Sequence, residues 1–118
     1  MWKLLLVSGL LASPAFAQDG ASAVPGFSAQ GPGNWEMICH VLADGDQNSV
    51  ILSSSRPGYA NKALKTASCD YHASGKGDLV LTITGAAKCP LKGATDEACT
   101  ITVPRQRAGS FSFKVKGV

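Results

Sequence analysis

The chemistry open to this 118-residue chain rests on four cysteines, two histidines and eight carboxylates. The cysteines are Cys39, Cys69, Cys89 and Cys99. Structural zinc and redox dithiols both call for close pairs of the C-x-x-C type, and no such pair occurs here. An even number of widely spaced cysteines in a small chain reads instead as two disulfides. Three pairings are open on spacing alone. Cys39–Cys69 with Cys89–Cys99 is favoured because each bridge then closes a short local loop.

The histidines offer the alternative of a metal site. A Cys39–Cys69 bridge would bring the flanking segments together, so that His40, Asp70 and His72 share one face with Glu36. Imidazole with carboxylate suits zinc or copper. The plainer reading has His40 half-buried between Ile38 and Leu42 and His72 exposed beside an acid. Asp44-Gly45-Asp46-Gln47-Asn48 opens like a calcium loop. It fails at the next position, where Ser49 replaces the required glycine, and Ser55 stands where the bidentate glutamate belongs. It reads as an acidic turn.

Nucleophilic catalysis lacks its parts. The serines cluster at Ser53-Ser54-Ser55, there is no G-x-S-x-G elbow, and the cysteines are committed to disulfides. Paired-carboxylate hydrolysis needs two acids held in a cleft, and most acids here fall in turns. Gly75-Lys76-Gly77 lacks the spacing of a phosphate loop and reads as a tight hairpin. Glycan or single-strand recognition usually draws on exposed aromatic platforms. Strand parity assigns Trp35, Tyr71, Phe111 and Phe113 to the core and leaves Phe27 and Tyr59. The residues therefore point to a non-enzymatic protein with no cofactor.

The elements that position these residues begin after an export signal. Residues 1–17 have a basic start at Lys3, an apolar run from Leu4 to Ala12 and a small-x-small end at Ala15-Phe16-Ala17. The run is too short to span a bilayer. Cleavage leaves Gln18 first and places the product in the periplasm or outside the cell. Residues 18–34, rich in Gly, Pro and Ala, read as a flexible arm, with Phe27 its one point of contact with the domain. Residues 35–118 form the domain.

Within it, alternation predicts strands over Trp35–Leu42, Ser49–Ser53, Ser68–Ala73, Leu79–Thr84, Cys99–Val103 and Ser110–Lys116. Residues 60–66 suggest at most a short helical turn. Asp44-Gly45, Arg56-Pro57-Gly58, Gly75–Asp78 and Pro104–Gly109 are turns. The fold class is all-β, a small antiparallel sandwich or barrel of about six strands stapled by two disulfides.

The net charge of +3 excludes nucleic-acid binding through bulk charge, and the length excludes a multidomain enzyme. The charge is unevenly placed. Residues 18–55 hold Asp19, Glu36, Asp44 and Asp46 and no Lys or Arg, whereas every basic residue except Lys3 follows position 55. Lys88, Lys92, Arg105, Arg107, Lys114 and Lys116 would make one basic face if that polarity survives folding. The expected function is a protein-binding module of the envelope or secretome: an inhibitor, immunity or accessory protein, acting as a monomer on another protein. Its contact residues are Arg56 and Tyr59 in the SSSRPGY segment and Arg105 and Arg107 in the PRQRAG turn. The competing classes are a small-ligand binder, for a glycan or metal ion, and a structural component of a surface assembly.

Overall fold

The structure is a computed structural model and describes residues 24–117; the expected signal at 1–17 lies outside the described residues, as does the first part of the expected arm. The described residues form eight strands: β1 (Gly26–Gln30), β2 (Glu36–Ala43), β3 (Asp46–Ser53), β4 (Gly58–Ala60), β5 (Leu64–His72), β6 (Leu79–Thr84), β7 (Thr100–Val103) and β8 (Ala108–Lys114). They form two antiparallel four-stranded sheets, ordered β4-β1-β6-β7 and β3-β2-β5-β8. Of the all-β sandwich or barrel expected from the alternation, the chain adopts the sandwich, with eight strands among the described residues instead of about six.

Two of the eight strands, β1 and β4, match none of the strands expected from sequence. β1 lies inside the expected arm and pairs with both β4 and β6, so the arm reading does not hold for Gly26–Gln30. The composition misleads because one glycine there is a packing requirement. A Cβ on Gly26 would stand 2.9 Å from Ala60 Cα, so only glycine lets β1 and β4 approach. The suggested helical turn over 60–66 is also absent. Asn61 Oδ1 accepts the Ala63 N–H at 2.8 Å in an Asx turn, after which β5 begins at Leu64.

The β2–β3 hairpin uses the expected Asp44-Gly45 turn, with φ of 58° and 80°. Positive φ at both central residues marks the I′ geometry that matches strand twist. Asp46 and Asn48 then belong to β3, so the acidic fragment is a hairpin and its strand.

Inward-facing residues alternate along the strands and fill the space between the sheets. Met37, Cys39, Leu52, Leu64, Cys69, Leu79 and Leu81 are its largest fully buried side chains. An aromatic series crosses the core. Phe27 stacks on Tyr59 at 5.3 Å and meets Phe113 edge-on at 6.3 Å, and Phe113 lies 6.2 Å from Phe111. Cys39 and Cys69 are register partners on β2 and β5 and are bridged, as are Cys89 and Cys99 in the β6–β7 connection. These are the two favoured pairings. Leu91, buried within that second connection, anchors it to the core.

Candidate functional site

The topology gathers four connections at one end of the sandwich. β1 passes to β2 through residues 31–35, β3 to β4 through 54–57, β5 to β6 through 73–78, and β7 to β8 through 104–107. Each crosses from one sheet to the other. Glu36, Ser53, His72 and Ala108 occupy a single register row across the second sheet, which fixes all four crossings at the same end. The Gly75–Asp78 segment is therefore an inter-sheet crossing rather than the expected hairpin. Glycine marks a reversal but carries no information on which sheet the next strand joins.

Three of the four crossings are tied together. The buried Ser74 hydroxyl donates to the Pro32 carbonyl at 2.6 Å and accepts the Lys76 N–H at 3.2 Å. Gln106 N–H donates to the Ser74 carbonyl at 3.0 Å, and Ala73 N–H to the Arg107 carbonyl at 2.9 Å. Arg105 N–H donates to Asp78 Oδ1 at 3.2 Å. The fourth crossing closes on itself, with Ser53 and Arg56 exchanging two main-chain hydrogen bonds of 3.0 Å. A surface held this way loses little conformational freedom on binding. Sequence reasoning missed Ser74; the signal was a serine preceding Gly-Lys-Gly, the pattern of a hydroxyl that turns back to the N–H two residues on.

Arg56, Arg105 and Arg107 are all exposed on this end, together with Lys76. Arg56 follows edge strand β3, and Arg105 and Arg107 precede edge strand β8; these two strands are three inter-strand spacings, roughly 14 Å, apart in the second sheet. Asp78 is the one carboxylate within these crossings, so the end carries a basic surplus. Between the first two crossings lies a recess of about 530 Å³ lined by Asn34, Trp35, Glu36, Ser53–Ser55 and His72.

Tyr59, the fourth expected contact residue, does not join them. It sits in β4 with its ring stacked on buried Phe27 and its hydroxyl accepting from Asn61 Nδ2 at 3.1 Å. Its role is in the core, as is that of Phe27, the other aromatic that parity left outside. The two aromatics on which a glycan platform would have depended are thus both in packed positions.

No protein-family model, curated protein or solved structure matches this chain, so its own residues carry the functional reading.

The expected metal-ligating residues do share a face, the outer face of the second sheet, where His40, Asp70 and His72 are exposed. The register separates them. His40 lies opposite Ser68, Asp70 opposite Ile38 and His72 opposite Glu36. The histidines stand four residues apart along the sheet, roughly 13 Å. Nδ1 of His40 is instead paired with Ser49 Oγ at 3.2 Å. Among the described residues, no three His, Cys, Asp or Glu side chains come together in a group able to hold a metal ion.

The basic residues expected on one face also divide. Arg105 and Arg107 belong to the end of gathered crossings. Lys88 and Lys92 lie in the β6–β7 connection at the opposite end, and Lys114 and Lys116 close β8 beside it. Lys88 and Lys114 border a groove of about 610 Å³ on the outer face, reaching His40 across Ser68 and Ser112.

Proposed function

We propose that this chain is a non-catalytic, exported protein-binding module, acting as an inhibitor, immunity or envelope accessory protein. Its contact surface is the end where the four inter-sheet crossings gather. The observation that carries this reading is the knitting of three crossings through the Ser74 hydroxyl, the Asp78 carboxylate and the Ser74 and Arg107 carbonyls, with three arginines presented around them. Preorganised loops on a rigid β scaffold, with arginine anchors, are suited to protein recognition. The basic surplus favours a partner with an acidic contact patch. Two disulfides fit an oxidising compartment, which supports export.

The test is a paired charge reversal. Arg105→Glu with Arg107→Glu is expected to abolish capture of the partner from the envelope fraction of the host while leaving the melting temperature nearly unchanged. The fold is spared because both residues hold neighbouring crossings through main-chain groups, which substitution leaves in place. Capture that persists in the double variant moves the contact to the crossing at residues 54–57, with Arg56→Glu as the next variant. Equilibrium dialysis with zinc, copper and calcium, and a glycan array, are expected to be silent; a signal in either supports the small-ligand class instead.

A further inference from the structure

A β-sandwich of two open sheets has four edges, each a row of unpaired main-chain groups that invites another strand. Three edges here carry a device that blunts them. β4 is three residues long and follows Pro57, and β7 is four residues long and ends at Pro104. β8 carries Lys114, is flanked by Arg107 and Lys116, and is covered at its end where Ala87 N–H donates to the Lys114 carbonyl at 2.8 Å. β3 is covered only at its last residue, where Ser53 pairs with Arg56, and has none of these devices along the rest of its length. It runs for eight residues, DQNSVILS, without Lys, Arg or Pro and with its one charge, Asp46, at its first position. Among the described residues only β2 pairs along it.

The direction of its free groups follows from its last residue. Ser53 exchanges both main-chain hydrogen bonds with Arg56, so its N–H and C=O point away from β2. Strand groups alternate, so those of Ile51, Ser49 and Gln47 point the same way. The side chains there are also unusual. Ile51 is 55% exposed and Ile38, its register partner on β2, is 38% exposed, so two isoleucines lie side by side on the outer face next to the open edge.

We infer that the β3 edge is a self-pairing interface, and that its occupant is the β3 strand of a second copy of this chain. Antiparallel pairing about a two-fold axis at Val50 sets Ser49 of each copy opposite Ile51 of the other, and the outward groups of both residues exchange hydrogen bonds. The Ser53–Arg56 bridge stops the ladder beyond that point. The two Ile51 side chains become diagonal neighbours across the junction, with Ile38 beside each, forming one apolar strip. The like charges do not oppose the pairing, because Asp46 of each copy lies at the far end of its own strand and the centre is uncharged. Such an interface uses the same patch on both copies, as two-fold dimers do. The two sheets join into one of eight strands, and the ends bearing the gathered crossings point in opposite directions. The monomer expected from sequence is thereby replaced by a two-fold dimer.

Sedimentation velocity of the exported protein over a concentration series, combined with amide hydrogen exchange, tests this. The expected result is a concentration-dependent shift to twice the chain mass, with the amides of Ser49 and Ile51 gaining protection as the dimer forms. Ile51→Lys is expected to return the chain to a monomer with an unchanged melting temperature at dilution, since the side chain is exposed in the single chain. Ile51→Val is expected to keep the dimer. A chain that stays monomeric at every concentration with free exchange at both amides overturns the inference. So does a dimer that survives Ile51→Lys. Protection of these amides that appears only on addition of an envelope fraction assigns the edge to a foreign strand and likewise overturns it.

Discussion

Phe113→Ala is expected to cost about 3–5 kcal/mol, the range for truncating a buried aromatic. Phe113 is only 6% exposed and stands where the aromatic series passes from one sheet to the other, against Phe27 edge-on and Phe111 alongside. Truncation removes its apolar area from the core and leaves a space that Phe27 and Phe111, each held by its own strand, are poorly placed to fill. A domain of this size has on the order of 5–15 kcal/mol of stability in total, so the loss is a large fraction of it. Lys114→Ala, one residue further and on the opposite face, is expected to change stability by less than about 0.5 kcal/mol. Urea unfolding of both variants reads the contrast directly. A Phe113→Ala midpoint close to that of the unaltered protein would contradict the packing described here.

Replacing Cys39 and Cys69 together with alanine is expected to cost about 3–4 kcal/mol, following the dependence of unfolded-chain entropy on the length of loop closed. Thirty residues separate these cysteines in sequence, against ten for Cys89 and Cys99, so the second bridge is expected to be worth somewhat less. Cys39 and Cys69 are also fully buried between the sheets, so alanine adds a small loss of packing to the lost constraint. Thermal unfolding of the two double variants, each compared with the intact protein, measures both terms. Equal and negligible effects would show that sheet pairing alone fixes β2 against β5.

The strands that sequence described best are those buried on one face. In the carboxy-terminal strand the alternation put Phe111, Phe113 and Val115 inside and Ser112, Lys114 and Lys116 outside, and that is their arrangement. A period of two admits no other solution when one face is dry. β1 was not legible because its apolar content is Phe27 and Ala29 alone, and its glycine and neighbouring prolines imitate a linker. Gly26 is there for close approach to β4, a tertiary reason with no local signature. The sheet each strand would join was equally hidden, since Gly75–Asp78 looks the same whether the chain returns to its own sheet or crosses to the other.

The candidate surface was legible in part. Arg56, Arg105 and Arg107 stand in turns, and turn chemistry is local, so sequence placed them at the surface. That the turns share one end depends on the order of strands in two sheets, which no local pattern encodes. Tyr59 reads as part of a turn because Pro57 and Gly58 signal one, while Gly58 and Tyr59 already pair with β1 in β4. For His40, Asp70 and His72 parity gave the right face. Their separation follows from Cys39 and Cys69 being direct register partners, which sets His40 opposite Ser68 and leaves His72 four residues along the sheet.

The most direct measurement of the proposed function is amide hydrogen exchange of this protein with and without the partner it captures. New protection is expected in the crossings at residues 31–34, 54–57, 74–78 and 104–107, around the exposed arginines. Protection confined to the opposite end, at residues 61–63 and 86–97, or to the outer-face groove between Lys88 and His40, would contradict the assignment of the binding surface to the end of gathered crossings.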